Sequence, residues 1–191
     1  AFTPFPQNPH LCKNTPPMPQ PQSPSADEYA PYYANYVRHA AGRSLSEALQ
    51  CDVSAMDALF DRLTEADGNY AYAPDKWTVK EVLLHCIDAE RIFAYRALRL
   101  LRGDNTPLPG YDQDPYVPAS DANARSLTSI REEWQSVRAA TLSLYAHAPE
   151  THLGLIGTAS DCPISARALA YIIPGHYLHH VEVLRERYGL R

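Results

Sequence analysis

Between Ser44 and Tyr188 apolar residues recur every three or four positions in four stretches, separated by segments rich in Pro, Gly and polar residues. That spacing gathers them on one face of a helix. The first stretch predicts a helix over roughly Ser44–Glu65, with Leu45, Leu49, Val53, Met56, Leu59 and Leu63 turned inward. The second covers roughly Val79–Arg102; it opens on a capping box, Thr78-Val79-Lys80-Glu81, and stops at Gly103. Its inner face carries Val82, His85, Cys86, Ala89, Ile92 and Phe93. The third covers roughly Ala122–Ala146, opened by Ser120 or Asp121. The fourth runs from Ala166 to Tyr188, capped by Ser165 and closed by Gly189, with Leu169, Ile173, His176, His180 and Leu184 inward. Pro174 inside it removes a backbone hydrogen bond and predicts a kink near Ala170 in a helix that otherwise continues. Gly175 can absorb the bend and let another element approach.

Strand signals are scarce and there is no internal repeat. Gly103–Ala119 is a long connection rich in Pro and Gly, and a loop of that length can cross a bundle and change the order of its helices. The simplest architecture for this pattern is all-α, a four-helix bundle. Residues 1–26 are different: eight of the 17 prolines fall there, with almost no charge. Such a stretch buries too little apolar surface to offset its ordering entropy. It reads as an extended, Pro-rich tail, and the bundle domain as residues 27–191. The aromatic run Pro31–Val37 is suited to packing onto the body.

Composition changes this picture little. A chain of 191 residues with 45 % hydrophobic and 20 % charged residues is ordinary for a globular protein. A net charge of -5 gives no support to a nucleic-acid-binding surface, and no uncharged run is long and apolar enough to cross a bilayer. Cys12, Cys51, Cys86 and Cys162 lie far apart, which argues against a disulfide framework and against a cysteine-based zinc site. They read as free thiols of a cytoplasmic protein.

Histidine carries the chemistry. His176 and His180 are four residues apart, so their imidazoles share one helix face and can converge on one ion. His85, mid-helix on an inward face, is the best candidate for a third ligand from a facing helix. Three neutral imidazoles leave coordination positions open, which is the catalytic rather than the closed structural pattern. The competing reading is that the three satisfy one another as buried polar groups. Asp88, one turn after His85, can orient a histidine, anchor a water or accept a proton. Arg96, on nearly the same face two turns later, can hold an anionic substrate or form an interhelical ion pair. Tyr111, Asp112 and Asp114 on the long loop are candidates for the mouth of the cavity. His179 reads as a supporting or surface residue, and His10, His39, His147 and His152 as ordinary structural ones. No His-Glu-x-x-His, P-loop, Gly-x-Gly-x-x-Gly or Gly-x-Ser-x-Gly is present, which removes the commonest protease, nucleotide and serine-hydrolase readings.

Three blocks, taken in order, resemble the DinB-like superfamily: Lys76–Arg91, Gly103–Asp112, and Gly175–His180 followed by Arg185–Tyr188. The resemblance covers about residues 29–190. It implies a bundle with a long crossover between its second and third helices, and a divalent metal, zinc or nickel, on three histidines that map to His85, His176 and His180. Relatives of this kind include bacillithiol-dependent S-transferases, a mycothiol-dependent isomerase and metal-dependent hydrolases without a proven substrate; dimers are common among them. The expected function is therefore that of a metal-dependent enzyme activating a small thiol for transfer to an electrophile. The alternatives are hydrolysis by metal-activated water and a metal- or ligand-binding stress protein without turnover. The expected partners are a small-molecule substrate, a low-molecular-weight thiol and a second copy of the chain, with neither nucleic acid nor membrane. Pro174 and the Pro-rich tail are not expected from the resemblance.

Overall fold

The computed structural model describes residues 23–190. The Pro-rich segment up to residue 22, with His10 and Cys12, lies outside them. The described residues form nine α-helices: α1 (Ala34–Ala40), α2 (Leu45–Gln50), α3 (Val53–Arg62), α4 (Glu65–Gly68), α5 (Val79–Leu101), α6 (Tyr116–Ala119), α7 (Leu127–Ala146), α8 (Glu150–Leu153) and α9 (Ala166–Tyr188). The strands β1 (Ile156–Ala159) and β2 (Cys162–Ser165) form a hairpin between α8 and α9. The architecture is a four-helix bundle whose arms are α2–α3, α5, α7 and α9. α9 packs on α5, α1, α2 and α3, while α7 packs on α5 and, through Trp134 and Arg131, on α3.

The ends of α5 and α9 fall where their caps predict. Thr78 Oγ1 accepts the Glu81 amide while Glu81 reaches back to the Thr78 amide. Ser165 Oγ caps the Ala168 amide, and Gly189 closes α9 with a positive φ of 70°. α9 is buried almost without interruption from Ala168 to Tyr177, so it is apolar on nearly all sides there, as a central helix must be. It runs as one helix through Pro174. Gly175 is the point of closest approach: a Cβ there would stand 2.0 Å from the Tyr36 carbonyl oxygen, so only glycine lets α1 lie against α9.

Three expectations need correction. The first predicted helix is two helices with a turn at Cys51–Asp52. The Leu49 carbonyl, which an unbroken helix would offer to the Val53 amide, accepts from Arg138 Nη1 (3.0 Å) instead. Arg138 is drawn there by Asp52 (Nη1–Oδ1 2.5 Å) and Glu90 (Nε–Oε1 2.9 Å, Nη2–Oε2 3.1 Å) in a wholly buried charge cluster. The same helix also ends early, because Thr64 caps the separate turn α4. The third predicted helix starts at Leu127 on the Ser126 cap: Ala122–Ala124 is a 3-10 turn, and Arg125 is extended. The hairpin was not legible. Its strands have four residues each and no alternation, and its turn is Ser160-Asp161, both with positive φ (54° and 59°). A two-residue turn of that kind normally announces itself with Asn-Gly or Asp-Gly.

The long connection after α5 is fastened to the hairpin. The Leu108 amide donates to the Thr158 carbonyl (2.9 Å), and the Ser160 amide donates to the Leu108 carbonyl (3.0 Å). The loop then runs back along α5, from Pro109 beside Arg96, through Tyr111 and α6 beside Asp88 and His85, to Asn123 against Thr78 and Glu81 at the start of the helix. Among the described residues no helix is long and apolar enough to cross a membrane, and Cys51, Cys86 and Cys162 are free thiols.

Candidate metal centre

His85 from the middle of α5 meets His176 and His180 from α9. The Nε2 atoms of His85 and His176 are 3.2 Å apart, and those of His180 and His176 3.1 Å. One nitrogen from each ring lies within 4.8 Å of the others. The surroundings are apolar and aromatic: Trp77 packs on His85 (ring centroids 5.1 Å), and Tyr36 and Phe93 pack edge-on to His176 (5.1 and 6.0 Å). Burial pushes His85 down to about 4 and His180 down to about 3, and holds His176 well below its ordinary value. At neutral pH all three rings are therefore neutral, and each has one nitrogen free to bind an acid or a metal.

The donor set fits a divalent ion. His176 Nε2 faces both other Nε2 atoms, yet a neutral imidazole nitrogen has either one proton to give or one lone pair to accept with, and so serves only one of them well. The cluster is not satisfied by hydrogen bonding alone, and His180 Nδ1 is buried without a partner among the described residues. Metal–nitrogen bonds of about 2.1 Å at tetrahedral angles would set the nitrogens roughly 3.4 Å apart, close to the separations seen here.

Space adjoins the cluster on two sides. A cavity of about 440 Å³ reaches His176 along α5, past Ala89 and Phe93 to Arg96, under Tyr33, Tyr36 and Tyr111. A second, of about 470 Å³, reaches His180 beneath Trp77 and Tyr188. A niche of about 10 Å³ touches His85 and Asp88. Asp114 lines both larger cavities, so the loop arches between them.

The other predicted site residues fall around this space in different ways. Asp88 borders the niche, but its Oδ1 pairs with Arg91 Nη1 (3.4 Å), and it makes no hydrogen bond to a histidine among the described residues. Burial pushes its carboxyl up, against the pull of Arg91. Arg96 is buried, and forms no ion pair among the described residues. Its Nη2 donates to the Pro109 carbonyl (3.1 Å) and to Ser160 Oγ (3.0 Å). Tyr111, Asp112 and Asp114 do reach the cavity. His179 stays outside the cluster, against Tyr36 and with Asn35 Nδ2 donating to its Nδ1 at 3.4 Å. His152 is structural, with Nδ1 bonded to the Leu101 carbonyl. Sequence reasoning missed Tyr33, Tyr36, Trp77 and Ser160 as cavity or cluster walls. The aromatic run Pro31–Val37 signalled that the two tyrosines pack on the body but not that they wall a cavity; Ser160 had no signal.

A model of the DinB superfamily matches residues 52–184, more than half of the chain and a span that includes all three histidines. The chain belongs to the DinB superfamily. Among solved structures it resembles YfiT from Bacillus subtilis, described as a probable metal-dependent hydrolase with an unusual four-helix bundle topology. The TM-score is 0.62 at 15 % identity, covering 89 % of this chain and 95 % of that one. At that identity the likeness shows the fold alone. No match was found among curated proteins. In this DinB chain the two tyrosines that close the cavity over His176 lie outside the span matched by the family model.

Proposed function

We propose that this DinB protein is a metal-dependent enzyme that activates a small thiol for transfer to an electrophile, with zinc or nickel held by His85, His176 and His180. One observation carries the reading: three neutral imidazole nitrogens converge, and one of the rings, His176, lines a cavity of about 440 Å³, large enough for a small molecule. A metal store without turnover would need the nitrogens but not the cavity. A divalent ion there would act as a Lewis acid, lowering the pKa of a thiol or water brought to it.

The protein's own groups supply the rest. The three histidines stay neutral through burial, so their lone pairs remain available at physiological pH. Asp88, which borders the same niche as His85, would accept a proton. Phe93 and Tyr36 pack on His176, and Trp77 on His85, so part of each of these rings is shielded from water. Arg96 holds negative charge at the far end of the cavity. A second reading, hydrolysis, is favoured by the niche itself: at about 10 Å³ it has the room of one water between His85 and Asp88.

Elemental analysis of untagged protein, beside His85→Ala and His176→Ala, tests the metal. About one zinc or nickel per chain, lost in both variants, is expected. No metal after both have been offered would leave the histidines as core polar groups and end the enzymatic reading. Given metal, turnover that requires an added thiol supports transfer, and thiol-independent turnover supports hydrolysis. Asp88→Asn should then lower kcat by about 100-fold with metal content unchanged.

A further inference from the structure

Arg96 is 3 % exposed and has no carboxylate partner among the described residues. An isolated buried charge is costly unless it is paired. Its one engaged nitrogen, Nη2, donates to two neutral oxygens, from Pro109 and Ser160. Nε and Nη1 make no hydrogen bond among the described residues, and the side chain lines the cavity. The Tyr111 ring stands 6.0 Å from the guanidinium. Burial pushes the Tyr33, Tyr36 and Tyr111 phenols up, so each keeps a hydroxyl proton to donate.

We propose that the cavity takes a small carboxylate-bearing molecule, its carboxylate on the free edge of Arg96 and its other end at the histidine cluster. A guanidinium edge matches a carboxylate in a planar, two-point contact. The cavity follows α5 from Ala89 to Arg96, a rise of roughly 10 Å. The carboxylate is therefore held several bonds away from the end that reaches His176. Phe93 and the tyrosines suit an apolar or aromatic middle.

Asp112 and Asp114 also line the cavity, but on the exposed part of the loop. Their charge is screened by solvent, whereas that of Arg96 is not. They disfavour a second carboxylate at the mouth and leave the inner end to Arg96.

The proposal rests on the metal reading only for which end of the molecule reacts, so binding is measured on protein freed of metal by dialysis against EDTA. The probes are 3-phenylpropanoate and its uncharged isostere 3-phenylpropanamide, titrated by calorimetry or by NMR. The acid should bind about tenfold or more tightly than the amide. In Arg96→Gln that preference should vanish while the amide still binds, an outcome that a merely structural role for Arg96 does not give. Arg96→Lys, which keeps the charge, should retain part of the preference and serves if the Gln variant does not fold. Equal binding of acid and amide by the native protein would overturn the proposal. So would a preference that survives Arg96→Gln, or one that appears only when zinc is restored, since the carboxylate would then sit on the metal. Because the preference is read on metal-free protein, it stands whether or not the native protein holds metal, so failure of the metal reading and failure of this one are separable.

Discussion

Arg138 illustrates how one side chain shapes a helix it does not belong to. It lies in α7, yet its bond to the Leu49 carbonyl and its pairing with Asp52 divide α2 from α3. Arg138→Leu would leave Asp52 and Glu90 buried with no cation, and should cost about 3–5 kcal/mol by urea denaturation. The cluster holds two carboxyls to one guanidinium. Burial holds Asp52 up at about 6, above an unfolded value of about 3.9. The native state keeps a proton that the unfolded chain releases between those values. The stability from this group is therefore full below about pH 4 and is lost as pH rises through 6. Asp52→Asn has no such proton. Relative to it, the native protein should lose on the order of 2 kcal/mol between pH 4 and pH 7; a constant difference would mean that Asp52 is ionised throughout. At this scale the sequence was most legible where periodicity and chemistry coincide. His85, His176 and His180 sit at helical spacing on inward faces, and they meet. Arg138 and Asp52 sit on the same kind of face, and nothing local marks them as partners, because their contact depends on packing between helices.

At the level of elements, α5 and α9 were readable to within a residue because both carry strong caps and long apolar stripes. The α2–α3 break, the late start of α7 and the hairpin were not. The break is set by a side chain from α7. The start of α7 is set by choice among Ser120, Asp121 and Ser126, all good caps. The hairpin is too short to show a period. The α1–α9 contact was half legible: Gly175 signalled a close approach but not which element made it. Gly175→Ala should force α1 away from α9, because the opposing atom is the Tyr36 backbone oxygen rather than a side chain that can turn aside. A loss of about 1–3 kcal/mol is expected on denaturation, with weaker binding of 3-phenylpropanamide as the Tyr36 wall shifts. Unchanged stability would mean that α1 is not held at this point.

For the whole molecule, the histidine cluster joins α5 to the second half of α9, the two arms that also carry the core. An ion bound there engages the folded protein and stabilises it by mass action. EDTA should therefore lower the Tm of metal-loaded protein by about 5–10 °C and leave that of His176→Ala unmoved; equal shifts in both would place the metal elsewhere. The loop that runs back along α5 has a different consequence. It is stitched to the hairpin at Leu108 and gripped by Arg96 at Pro109, but its tip at Asp112 and Gln113 is exposed, with no backbone partner for those amides among the described residues. In hydrogen exchange the Leu108 and Ser160 amides should be slow and the tip amides fast. Insertions between Asp112 and Pro115 are then the cheap way for a lineage to change which molecules are admitted, while the group by which they are held stays the same.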